Sequence, residues 1–328
     1  MTWEGEKVLV TGAGGFIGSH LVENLAAMGA QVRCLVHYRS DGSWGWLDSS
    51  SVKNEVEVVA GDIRDADSVT TAMRECTSVF HLAALISIPY SYDAPMSYVR
   101  TNVEGTVNVL RAAHQLEVQR IVHTSTSETY GSARYVPMDE AHPLQGQSPY
   151  SASKIGADKM AEAFHKSFGV PVVTVRPFNT YGPRQSARAI IPTIISQAMS
   201  GSEIRLGSLS PTRDFNFVQD TVSGFIKAAE SSEAIGQVIN IGSGAEISIG
   251  QLARLILESM GKSNLPVVQE DQRVRPEDSE VNRLWAENRR AQEILGWAPQ
   301  HTLREGLEVT IEWVRSHLDN YRVESYVV

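Results

Sequence analysis

The sequence is poor in cysteine, in aromatic residues and in positive charge. Cys34 and Cys76 are the only two cysteines in 328 residues, too few for the disulfide framework of a secreted scaffold, so a reducing cytoplasm is the expected setting. Both lie in apolar stretches and read as small buried hydrophobes. Lys and Arg number 29 against 38 Asp and Glu, a formal net charge of -9. A nucleic-acid binder would need the opposite balance, so no nucleic-acid partner is expected. A phosphorylated small molecule is still compatible, because a few placed arginines and helix N-termini can hold it locally. No apolar run approaches the length of a membrane span, so no membrane partner is expected. The chain passes from Met1–Lys7 directly into Val8–Val10 without a signal-peptide pattern, which adds to the expectation of a cytoplasmic protein. Hydrophobic residues are plentiful at 42%, with 20% charged, which suits a large core and argues against disorder. The length alone suggests about two domains.

The first half alternates short β-branched runs with helical patterns. Strands are expected at 7–11, 32–37, 56–60, 79–82, 120–125 and 171–176. Helices are expected at 15–28, closed by Gly29, at 65–76, opened by Asp65 as N-cap, and at 95–116 and 150–168. Continuous apolar strands separated by helices mean a parallel sheet covered on both faces, a Rossmann-like, doubly wound α/β fold. After Pro177 the segments shorten and Gly and Pro become more frequent, with helices expected at 190–199, 222–230, 249–260 and 303–317. The reading is a dinucleotide-binding domain over 1–177 and a smaller α/β substrate lobe over 178–328, without a sharp boundary and with segments free to interleave.

Three motifs carry chemistry. Thr11-Gly12-Ala13-Gly14-Gly15-Phe16-Ile17-Gly18 sits between the first strand and first helix, with glycines at 12, 15 and 18. Such a turn brings backbone close to a pyrophosphate and offers free N–H groups at a helix N-terminus. The acidic residue that often ends the second strand is missing: the segment reads Cys34-Leu35-Val36-His37-Tyr38-Arg39. His37 or Arg39 could face a 2′-phosphate, or Arg39 could point into solvent; Gly61-Asp62-Ile63 is placed for the adenine edge. Tyr150-Ser151-Ala152-Ser153-Lys154 puts a phenol and an ammonium one turn apart on a helix, and the cation is expected to lower the tyrosine pKa towards that of a usable base. His123-Thr124-Ser125-Thr126-Ser127-Glu128-Thr129-Tyr130-Gly131 gathers hydroxyls and a carboxylate at a strand's carboxyl end, where open α/β sheets bind ligands.

Together these motifs resemble the extended short-chain dehydrogenase/reductases, specifically the nucleotide-sugar epimerases and dehydratases. The resemblance extends over nearly the whole chain. It includes His81-Leu82-Ala83-Ala84, Thr101-Asn102-Val103-Glu104-Gly105-Thr106, Arg176-Pro177-Phe178-Asn179-Thr180-Tyr181-Gly182-Pro183-Arg184, Arg213-Asp214-Phe215, Arg275-Pro276 and Leu295-Gly296-Trp297-Ala298-Pro299. It implies cofactor contacts at Gly12, Gly15, Phe16, Ile17, Gly18, His37, Arg39, Asp62, Ile63, Leu82, Ala83, Ala84, Asn102, Tyr150, Lys154 and Pro177. Sugar-nucleotide contacts are implied at Ser87, Asn179, Arg188, Arg213 and Arg275, and no metal. NAD is the implied cofactor, whereas Val36 in place of an acid argues for NADP. Family members pack two helices per subunit into a dimer, so a homodimer is expected.

Thr126-Ser127-Glu128 resembles the triplet of the 4,6-dehydratases, particularly the GDP-mannose type, and Ser43–Asp48 resembles the dehydratases of legionaminic-acid pathways. The resemblance implies that Tyr150 takes the 4-hydroxyl proton, Thr126 (or Ser125) holds that oxygen, and Glu128 removes the C5 proton. Ser127 stands where an aspartate commonly protonates the departing 6-hydroxyl; Glu128, Ser127 through water, or another group could serve instead. The expected substrate is a UDP- or GDP-linked N-acetylglucosamine or related hexose. Rival readings are a UDP-glucuronate decarboxylase, then a 5,6-dehydratase or a 4-epimerase, and last a non-catalytic dinucleotide-binding regulator.

Overall fold

The computed structural model describes residues 2–321. Seven strands form one fully parallel sheet: β1 (Lys7–Thr11), β2 (Gln31–His37), β3 (Glu57–Gly61), β4 (Ser78–His81), β5 (Arg120–Thr124), β6 (Val172–Pro177) and, from far along the chain, Val238–Ile241. Helices α1 (Phe16–Ala27), α2 (Ala66–Met73), α3 (Ile88–Asp93), α4 (Pro95–Tyr98), α5 (Gly105–Gln115) and α6 (Pro149–Phe168) connect the first six strands. The strand order runs 238–241, β6, β5, β4, β1, β2, β3. The order reverses between β1 and β4, and a crevice opens at such a switch point beyond the carboxyl ends of the strands. Alternate side chains feed opposite faces. Val8 and Val10 pack with Phe80, Val122 and Val175, while Leu9 packs with Val79, Ile121 and Val172 beneath α2, α5 and α6. With both faces buried, the strands lose the polar alternation of a half-exposed sheet.

The remaining elements build a smaller lobe and also return to the main sheet. They are β7 (Asn179–Tyr181), α7 (Ile190–Ser200), β8 (Ile204–Leu206), β9 (Thr212–Arg213), β10 (Phe215–Phe217), α8 (Val218–Glu230), β11 (Val238–Ile241), β12 (Ile247–Ser248), α9 (Ile249–Ser259), β13 (Val267–Gln269), α10 (Arg289–Leu295) and α11 (Leu303–Ser316). β11 pairs with β6, and α8 packs against α1, β5 and β6. The segment after Pro177 therefore supplies an edge strand and a covering helix to the first unit.

Three helices differ from the sequence expectation by more than a residue at an end. The helix expected over 95–116 contains a π-helical turn at Val99–Glu104, where the Asn102 side chain leaves the helix face to bond Leu85 and Ser153. α2 stops at Met73, where Arg74 leaves the helical region with a ψ of 134° and Glu75 follows with a left-handed φ of 66°. α8 starts at Val218, four residues before the expected 222, directly from β10. The sequence reading contains neither α3 nor α10.

Asp65 caps α2 as expected, accepting from the backbone N–H groups of Asp67 and Ser68. Asp65→Ala should therefore cost about 1 kcal/mol, read as a lower denaturant midpoint at unchanged m-value; a midpoint equal to that of the unchanged protein would show that this cap contributes nothing.

Candidate active site

The cavity above the switch point has two connected parts. The larger, of about 770 Å³, runs from the glycine turn past β2 and β3 to Tyr150 and Lys154. The smaller, of about 350 Å³, lies between the main sheet and the lobe and is lined by five arginines, Arg188, Arg205, Arg213, Arg273 and Arg275. Ser87, Glu128 and Asn179 line both parts.

The glycine turn is as tight as backbone can be. Gly12 has a φ of 72°, and a Cβ there would lie 2.8 Å from the backbone nitrogen of Ala83. A Cβ on Gly18 would lie 2.2 Å from the Gly12 carbonyl oxygen, so α1 is pressed against the turn. No side chain caps the N-terminus of α1 and its first turn holds no acid, which leaves N–H groups and the positive helix end to an anion. Gly12, Gly15, Phe16, Ile17 and Gly18 all line the larger cavity, as do His37, Asp62, Ile63, Leu82, Ala83, Ala84 and Pro177. The Asp62 carboxylate accepts from Arg64, which holds it below the usual carboxylate range.

Two of the expected cofactor residues stand elsewhere. Arg39 lies outside the cavity and pairs with Asp41 at 2.6 Å. Asn102 is buried below the cavity, where its amide accepts from the Leu85 N–H and donates to the Leu85 carbonyl and the Ser153 hydroxyl. It fixes the loop that leads to Ser87 and lines neither part of the cavity.

At the end of β5, Thr126 caps a short 3₁₀ turn at Ser127–Tyr130 and accepts from the Glu128 N–H. This turn swings Ser127 and Glu128 to the carboxyl edge. Glu128 Oε2 is buried without a hydrogen-bond partner. The Thr126 side chain stands beside the Tyr150 phenol. α6 begins with a Ser148 capping box and Pro149 in its first turn, which places Tyr150 at the start of the helix and Lys154 one turn on.

The expected lowering of Tyr150 by Lys154 is not found. Burial pushes the phenol well above its ordinary value, against the opposing effect of the Thr126 side chain. Lys154 Nζ donates to the Thr124 carbonyl at 2.7 Å, and burial lowers its ammonium to about 8, opposed by the charge of Asp158. Desolvation outweighs the cation at this depth.

In the smaller part, Arg213 donates to Glu280 at 3.1 Å and Arg275 stands 3.6 Å from the same carboxylate. Asn179 Oδ1 is buried without a partner. Ser87 holds a strained φ of 94°. Arg205, Arg273 and Glu280 line this part although the sequence reading named none of them; they lie in short lobe segments without a motif. The reading also missed Asp158, which the spacing of four from Lys154 could have flagged.

These residues match a known family. The GDP-mannose 4,6 dehydratase family model covers residues 9–310. A UDP-glucose 4-epimerase from Mycolicibacterium smegmatis is 36% identical over 317 residues, 94% of this chain and 99% of the relative. A dTDP-glucose 4,6-dehydratase from Streptomyces griseus is 36% identical over 315 residues, 94% of each chain. The solved structure of a dTDP-glucose 4,6-dehydratase from Streptomyces venezuelae, with NAD and TYD bound, superposes with a TM-score of 0.87 at 30% identity, over 96% of this chain and 99% of that one. Both reactions occur among the relatives, and the glycine turn, the Thr126–Glu128 turn and the Tyr150–Lys154 pair lie in one cavity; the chain belongs to the GDP-mannose 4,6-dehydratase family of nucleotide-sugar enzymes.

Proposed function

We propose that this protein is a nucleotide-sugar 4,6-dehydratase that binds NAD and yields a 4-keto-6-deoxy sugar nucleotide. The observation that carries the reading is Glu128: a half-buried carboxylate whose Oε2 is buried and unpartnered, where the two parts of the cavity meet, beside the Thr126–Tyr150 pair. An epimerase that only oxidises and reduces C4 has no use for a base there. The dinucleotide fits the larger part, where Gly12 and Gly18 leave no room for a Cβ and the uncapped end of α1 meets a pyrophosphate. Bound NAD would accept the hydrogen and electron pair leaving C4 and return them to C6, so the net reaction is loss of water. NADP is the weaker reading, because Arg39 is engaged by Asp41 and Asp62 adds negative charge beside His37.

In this reading Tyr150 takes the 4-hydroxyl proton while Thr126 holds that oxygen. The 4-ketone acidifies C5–H, and Glu128 removes that proton. The C6–O bond breaks as the C5–C6 double bond forms, and the leaving oxygen needs a proton. Ser127 is a poor acid, so the newly protonated Glu128 is the group at hand to deliver it. Arg188, Arg213 and Arg275 would hold the diphosphate. The substrate proposed is a UDP- or GDP-linked N-acetylglucosamine or related hexose, on the likeness of Ser43–Asp48 to legionaminic-pathway dehydratases. A homodimer through 95–115 and α6 belongs to the same reading. The Mycolicibacterium relative favours 4-epimerisation as the second reading.

Incubation with UDP- and GDP-linked hexoses in heavy water separates the two. A dehydratase product is lighter by one water and carries solvent deuterium at C5, whereas an epimerase product keeps its mass and inverts C4. Glu128→Gln should stop water loss and C5 labelling; a variant that dehydrates at the full rate removes Glu128 from the mechanism. Tyr150→Phe should lower turnover by about two to four orders of magnitude with sugar-nucleotide affinity retained, and near-normal turnover would exclude it as the C4 base. The dinucleotide released on denaturing the purified protein should be NAD, and finding NADP would reverse that assignment.

A further inference from the structure

Beneath the cavity floor lies a cluster of buried charge with no place in the mechanism above. Asp158 is on α6, one turn beyond Lys154 and two beyond Tyr150, so all three share one helix face. It is buried and lines neither part of the cavity. Its carboxylate is fully engaged: His123 Nε2 lies 3.0 Å away, the Ser125 hydroxyl donates at 2.5 Å and Arg176 at 2.8 Å. These partners come from β5, the segment just after it, and β6. His81 on β4 stacks on His123 with ring centroids 5.8 Å apart, and bonds the hydroxyls of Thr11 and Thr106.

The charges facing Lys154 can be named element by element. β4 contributes His81 and β5 contributes His123, both pushed down by burial and so neutral at neutral pH. β6 contributes the Arg176 cation, α6 contributes Asp158, and Glu128 faces the neighbouring Tyr150. The floor thus holds two buried cations, Lys154 and Arg176, against one buried anion. The hydrogen bond from Lys154 goes to a neutral backbone carbonyl, which cannot balance an ammonium taken out of water.

We propose that Asp158 is a positioning residue for the reaction: from below the cavity, its carboxylate keeps Lys154 a cation one turn from Tyr150. The proposal rests on the reading of Tyr150 and Lys154 as the C4 machinery, and it applies equally to a dehydratase and an epimerase. Arg176, Ser125 and His123 hold Asp158 ionised and aimed. Without it, Lys154 would surrender its proton within the working pH range, and the phenolate of Tyr150 would lose its supporting charge.

The test compares the unchanged protein with Asp158→Asn and with Asp158→Asn/Arg176→Met, in which both halves of the buried pair are gone and the core stays filled; such replacements are often tolerated. The titration of Lys154 is followed through isotope-labelled lysine side chains by NMR, with Lys154→Met assigning the signal. Asp158→Asn should show Lys154 titrating about one pH unit or more below the unchanged protein, the double variant a smaller drop because the Arg176 cation is lost with the anion, and the alkaline limb of the kcat/KM profile should move down with the titration at unchanged KM. Asp158→Glu, which keeps the charge, should restore most of both. A Lys154 titration that does not move overturns the proposal, even if activity falls, since that pattern is structural damage alone. A moved titration in a protein that turns over no sugar nucleotide, with or without the substitution, would uphold the electrostatic role and sink the functional reading instead.

Discussion

The arrangement depends on one buried ion pair. Asp158 on α6 and Arg176 on β6 meet at 2.8 Å with both side chains almost wholly out of water. A lone buried charge is far costlier than a paired one, and breaking such a pair typically costs about 3–5 kcal/mol. α6 therefore cannot slide or rotate on the sheet without stranding a charge. Since Ser125 and His123 bind the same carboxylate, the lock also spans β5, the strand whose end carries Thr126 and Glu128. One carboxylate thus fixes the mutual placement of a helix and a turn that are far apart in sequence.

Above that lock the cavity divides the work by polarity. The dinucleotide side is walled by glycines and small apolar residues, Gly12, Gly15, Gly18, Leu82, Ala83 and Ala84, which admit backbone-close contact. The lobe side is walled by arginines, of which Arg213 and Arg275 share Glu280 while Arg205 and Arg273 pair with Glu270. Glu128 is the acid at the junction, and Arg213 feels its charge. A local surplus of cations sits in a chain whose net charge is -9, which shows why net charge alone does not speak against a phosphate site.

Much of the sheet was legible because parallel strands buried on both faces leave unbroken apolar runs, and because caps such as Asp65 and the Gly12–Gly18 turn are short-range signals. The dinucleotide side of the cavity was the more legible part for the same reason: motif residues at strand ends share the sheet's carboxyl edge. What was not legible depends on distant partners. Asn102 reads as a cofactor contact until Leu85 folds back over it. Arg39 reads equally as a phosphate ligand or a solvent-facing side chain until Asp41 takes it. The effect of Lys154 on Tyr150 reads as a simple pair until burial reverses it. Glu280 carries no local pattern at all, and its placement comes from the lobe segment that brings it to Arg213.

The turn at 43–48 has a consequence for how this chain can change. A Cβ on Gly14 would lie 2.2 Å from the Trp44 carbonyl oxygen, and the Trp46 N–H donates to the Gly14 carbonyl at 3.0 Å. Trp46 in turn meets Trp313 of α11 edge-on, at 5.8 Å between ring centroids. The pyrophosphate turn, the segment after β2 and the last helix are thus joined in series, and none can drift in sequence independently of the others. Transplanting the end of β2 from a relative to switch cofactor preference would carry a foreign 43–48 turn onto Gly14, so a successful chimera has to exchange the glycine turn and the facing surface of α11 as one inherited block.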